Sequence, residues 1–113
     1  MPSPAPIIYP AQARMLTIFG QRLRDARLRR RFSVTDVAAR SGVSRPTINK
    51  VEKGDASVTL GTYLRVLSVL GMANELEKLL ADDPVGRRLQ DAELGAGVPK
   101  RAPRRTSPVS GKQ

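Results

Sequence analysis

The sequence has no histidine, no cysteine and no tryptophan. Without histidine and cysteine it lacks the usual neutral-pH general bases, thiol nucleophiles and soft metal ligands. Asp, Glu and Lys remain as candidate catalytic groups, but no pair of them is spaced convincingly. A protein that is not an enzyme, with no metal and no cofactor, is the expectation. The absence of cysteine fits a reducing compartment. No apolar run is long enough to cross a membrane, since VTLGTYLRVLSVLGMA is interrupted by Arg65. Ala11-Gln12-Ala13 resembles a signal-peptidase site, yet no basic segment and apolar core precede it. The expected location is the cytoplasm.

Acidic residues are also scarce: 10 Asp and Glu face 20 Lys and Arg, for a net charge of +10. The excess is unevenly spread. Residues 14–53 and 99–113 are basic, and residues 54–98 are mildly acidic. A surplus of this kind on 113 residues favours a polyanionic partner, nucleic acid ahead of an anionic membrane. Solubility alone is the competing explanation.

The order of turn and cap signals predicts an all-α chain. MPSPAPIIYP is proline-rich, and residues 1–13 read as an extended arm. Leu16, Phe19, Leu23 and Ala26 form an apolar stripe on a first helix over about 14–30, whose other faces are crowded with arginine. Ser33-Val34-Thr35-Asp36 is a capping box that opens a second helix ending near Ser41, with Val37 and Ala38 inward. Gly42 supplies a left-handed turn position. Ser44 caps a third helix to about Lys53, which Gly54 stops. Thr59 caps a fourth, with Leu60, Tyr63, Leu64, Leu67 and Leu70 at helical spacing and Gly71 at its end. A fifth, about 73–81, presents Leu76, Leu79 and Leu80. The domain spans 14–81, followed by a partly helical extension, 82–98. The segment 99–113 is basic and poor in large apolar groups, so a disordered tail is expected.

The third helix has two unlike sides. At 100° per residue Ile48, Val51 and Glu52 cluster together, while Pro46, Asn49, Lys50 and Lys53 lie opposite and Arg45 sits at the border. Pro46 does not obstruct the helix, because a first-turn N–H has no intrahelical partner. A stiff basic helix tip, set across a glycine turn from a capped helix, is a helix-turn-helix arrangement. The major groove admits such a helix; Arg45 suits guanine, Asn49 suits adenine, and the Pro46 ring can meet a thymine methyl.

With those residues in view, SVTDVAARSGVSRPTINKVEKG followed by VTLGTYLRVLSVLGM resembles the Cro/cI-type (Xre) helix-turn-helix family over about residues 17–80. The resemblance implies a compact five-helix lambda-repressor-like DNA-binding domain. It puts Arg45, Pro46, Asn49 and Lys50 at base-reading positions. Ser33, Val34, Thr47 and Lys53, with backbone N–H groups near Asp55–Thr59, would meet phosphates. Arg27 and Glu52 would form a structural salt bridge. Thr59-Leu60 through Gly71-Met72 looks like HipB-type antitoxins, which implies a HipA-like kinase toxin as a further partner. Two positions depart from the family: Val34 stands where Gln is common, and Arg31 where Gly is common.

The resemblance therefore implies a sequence-specific transcriptional regulator, a repressor, acting as a homodimer on a palindromic operator in double-stranded DNA. The dimer surface is expected on the fifth helix with the segments C-terminal to it, or on the arm, where Ile7, Ile8 and Tyr9 need cover. The alternative is a protein-interaction adaptor that keeps the fold without reading DNA.

Overall fold

The first helix begins earlier than the proline-rich start suggests. The computed structural model describes residues 7–97, and helix α1 runs from Pro10 to Arg29. Pro10 occupies the first helical position, where its fixed φ suits the turn, and Gln12 Oε1 accepts from the Tyr9 N–H at 3.0 Å. Only 7–9 of the expected arm remain outside regular structure among the described residues. Residues 1–6 and the expected disordered tail, 99–113, lie outside the described residues.

Five further helices come after it: α2 (Val34–Ser41), α3 (Arg45–Glu52), α4 (Leu60–Val69), α5 (Ala73–Lys78) and α6 (Pro84–Gly97). The described residues form helices and turns without a strand, and none of these helices is long and apolar enough to cross a membrane. The chain divides into two units, Met1–Glu77 and Lys78–Gln113.

Short-range chemistry sets the ends of α2, α3 and α4. Ser33 Oγ accepts from the Asp36 N–H at 3.0 Å, and Asp36 Oδ2 accepts from the Ser33 N–H at 2.8 Å. These bonds satisfy two donors that the helix start would leave unpaired. The Ser33 N–H first, and its hydroxyl second, hold the Asp36 carboxyl below its usual range. Ser44 and Thr59 cap α3 and α4 by accepting from the Thr47 and Thr62 N–H groups. Gly42 ends α2 at φ 72° and Gly54 follows α3 at φ 72°, conformations in which a Cβ would be strained.

In the first unit α1 packs on α3, and α2 packs on both α3 and α4. The core comprises Leu23 and Ala26 of α1, Val37 of α2, Val43 of the turn, Ile48 and Val51 of α3, and Tyr63, Val66, Leu67 and Leu70. The Phe19 and Tyr63 rings lie 5.5 Å apart at a tilt of 45°, within the usual range for an attractive aromatic pair. On α4 the inner stripe is Tyr63, Val66, Leu67 and Leu70, while Leu60 and Leu64 face outward. Helix α5 stops at Lys78, short of the expected 81. Leu76 packs against the core, whereas Leu79 and Leu80 are exposed.

Gly20 explains how α1 and α3 meet. A Cβ at that position would fall 2.5–2.7 Å from backbone atoms of Val51, Glu52 and Gly54. No side chain fits there, so the helix backbone itself rests on the end of α3.

Candidate nucleic-acid interface

Helix α3 is held from one side only. Ile48 and Val51 are fully buried, whereas Arg45, Pro46, Asn49 and Lys50 are exposed. The inner pair locks the rotation of the helix about its axis, and that rotation fixes which side chains face out. Pro46 sits in the first turn behind the Ser44 cap. The Ser44 hydroxyl also donates to Thr47 Oγ1 at 2.9 Å. The tip of α3 is thus stiffened by a ring, a cap and a hydroxyl pair.

The far end of α3 is tied to α1. Arg27 Nε and Nη2 donate to Glu52 Oε2 and Oε1 at 2.6 and 3.0 Å, and Nη1 donates to the Phe32 carbonyl at 3.0 Å. Only about a tenth of either side chain is exposed, 10% for Arg27 and 9% for Glu52. A planar guanidinium meeting a carboxylate with two parallel bonds is the strongest form of such a pair. The hydrogen bonds to Glu52 raise the Arg27 pKa further above its ordinary value, against the opposing effect of burial. The guanidinium therefore keeps its charge, and its bonds to Glu52 and Phe32 join α1, α3 and the α1–α2 turn at one point.

The residues expected to meet phosphate are dispersed around this helix. Ser33 and Lys53 are exposed, and Thr47 is half-buried with its oxygen shared with Ser44. Val34 is partly buried against the core, so it presents no polar side chain. What it can offer an anion is a first-turn backbone N–H of α2. In the 55–59 loop, the Ser57 N–H and hydroxyl both donate to Asp55 Oδ1, at 2.8 and 2.7 Å, and the Val58 N–H donates to the Asp55 carbonyl. Two of the backbone donors expected to face phosphate are thus engaged within the loop.

Two contributors to the site are not evident from spacing alone. Tyr63 carries its ring in the core and donates its hydroxyl to the Asp55 carbonyl at 2.9 Å, tying the loop after α3 to α4. Burial, with a smaller contribution from the Asp55 charge, raises the Tyr63 pKa. Tyrosine at an apolar helix position invites a search for such an acceptor. Arg40 lies over the Phe32 ring at 4.2 Å, which places a further cation on α2. Among the described residues, no three His, Cys, Asp or Glu side chains come together as a metal site.

Two capped helices, α2 and α3, joined across left-handed Gly42 with the outer face of the second exposed, make a helix-turn-helix unit. The helix-turn-helix domain family matches residues 18–80, and the chain belongs to that family. It is also 41% identical over 56 residues, half of this chain, to a Pyrococcus abyssi protein provisionally named HTH-type transcriptional regulatory protein. The matched segment spans 18% of that relative's length. No solved structure matches the chain significantly.

Proposed function

We propose that this protein is a sequence-specific DNA-binding transcriptional regulator of the Cro/cI (Xre) type, built on a five-helix lambda-repressor-like domain. The observation that carries the reading is the two-sided α3, whose buried Ile48 and Val51 hold Arg45, Pro46, Asn49 and Lys50 outward. Arg45 at the tip pairs with guanine through two hydrogen bonds, worth roughly 1–3 kcal/mol of discrimination. Asn49 serves adenine in the same way, Pro46 contacts a thymine methyl, and Lys50 adds a mobile donor. Ser33, Thr47, Lys53 and the Val34 N–H set the domain against the phosphates, which orients it but carries no sequence information.

One α3 spans only a few base pairs, so the working form is a homodimer. Its palindromic operator has half-sites about one helical turn (~34 Å) apart. Bound there, the dimer acts as a repressor. The resemblance of residues 59–72 to HipB-type antitoxins supports a narrower version in which the dimer also holds a HipA-like kinase toxin. The working compartment is the cytoplasm.

The test is selection of duplexes from a random library at near-physiological salt, where nonspecific phosphate binding is suppressed. The expected result is a palindrome, with one guanine preference lost in Arg45→Ala. Uniform, salt-sensitive recovery without a motif would overturn the reading in favour of an adaptor that keeps the fold and binds protein.

A further inference from the structure

Helix α6 has an apolar side that none of the described residues of its own unit covers. Asp83 starts the helix, its Oδ1 accepting from the Gly86 N–H at 3.0 Å, and Pro84 occupies the first position. The helix is 14 residues long, yet Val85 is 55% exposed and Leu89 66%. A helix of this length is marginal in water unless its apolar stripe is packed.

The spacing of that stripe is the heptad kind. Val85, Leu89 and Ala92 succeed one another at four and then three residues, the d–a–d positions of a two-stranded seam. In this frame Arg88 falls at g, and Glu93 falls at the next e. Both are exposed, one on either flank of the stripe. Arg87 falls at f, away from the seam, and is paired with Asp82 at 2.6 Å. Gln90, Asp91 and Leu94 also lie outside the seam.

The charges choose the occupant and its direction. In a parallel pair, g of one helix faces e of the partner five residues on. Arg88 then meets Glu93 of the partner subunit, twice by symmetry. In an antiparallel pair, g faces g and e faces e, which opposes Arg to Arg and Glu to Glu. We infer that α6 pairs in parallel with α6 of a second copy, along the Val85–Leu89–Ala92 seam, with reciprocal Arg88–Glu93 ion pairs. This rests on the homodimer in the reading above and gives that dimer a surface. With only three seam positions, little more than one heptad, the seam is weak, so the free protein dissociates readily and the operator favours its assembly.

The full-length chain tests this by sedimentation equilibrium over a range of concentrations. Arg88→Glu turns two attractions into two repulsions and should weaken dimerisation on the order of tenfold. Adding Glu93→Arg should restore it. The chain lacks cysteine, so Val85→Cys and Ala92→Cys, made separately, should each give a self-disulfide on mild oxidation. Only a parallel in-register pair brings both d positions to themselves. Unchanged dimerisation in Arg88→Glu, no rescue in the double variant, or cross-linking at just one of the two cysteines would each overturn the pairing. The same proteins carried through duplex selection separate the two readings. A palindrome recovered without any effect of Arg88→Glu sinks the α6 seam alone, whereas cross-linking at both positions without a motif sinks the regulator alone.

Discussion

At the scale of single residues, two arginines carry opposite consequences. Arg31 adopts φ 57°, a left-handed conformation that favours glycine. Here an L-residue bears the strain of that turn. Left-handed geometry costs an L-residue roughly 1–2 kcal/mol, partly offset by the greater freedom of glycine in the unfolded chain. Arg31→Gly should therefore raise stability by about 0.5–1 kcal/mol, seen as a higher denaturant midpoint at unchanged slope. Arg27, in contrast, is buried against Glu52. Glu52→Gln leaves a guanidinium out of water without its counter-charge and should cost about 3 kcal/mol. Replacing both partners with apolar residues, Arg27→Met with Glu52→Leu, should recover most of that loss. If Glu52→Gln melts like the parent protein, the pair is an ornament of the surface and does not join α1 to α3.

At the scale of elements, the capping box of α2 couples the fold to acid. The folded-state pKa of Asp36 is depressed by its bonds to Ser33. A depressed carboxylate contributes stability that is present above its unfolded value of about 4 and is lost as pH falls through the lower folded value. Thermal melts recorded from neutral to strongly acid pH should show this loss, and Asp36→Asn should flatten that part of the profile. Identical profiles in the two proteins would mean the box does not hold α2 in solution. The box was legible in Ser33-Val34-Thr35-Asp36 because a cap is a bond between residues three apart, and Gly42, Ser44, Gly54 and Thr59 were readable on the same grounds. The two-sidedness of α3 was readable too, since Ile48 and Val51 repeat at helical spacing. What escaped depends on distant partners or on an ambiguous proline. Pro10 read as part of an extended arm, yet it occupies the first position of α1. Leu60 and Leu64 match the inner period of α4 but face outward, because the core lies on the side of Tyr63, Val66 and Leu67. The fit of Gly20 against the end of α3 has no local signature at all.

At the scale of the whole molecule, charge and shape divide the proposed work between affinity and sequence choice. The basic segment 14–53 covers most of α1 and all of α2 and α3, so the cations that would approach a polyanion travel with α3. Lys53 is exposed at the end of α3, where a point charge can neutralise a phosphate but cannot distinguish bases. Arg45 is exposed at the tip, where two directed hydrogen bonds can. The two variants should therefore fail differently. Lys53→Ala should weaken binding to all duplexes alike, and in the proposed dimer should reduce the slope of log K against log salt by about two, close to 0.9 for each phosphate no longer neutralised. Arg45→Ala should change the preferred base at one position in each half-site and leave discrimination elsewhere intact. Titrations of both proteins against operator and scrambled duplexes at several salt concentrations separate these effects. If Arg45→Ala lowers affinity equally for both duplexes, α3 is a basic rod lying against phosphates, and sequence choice must come from another surface.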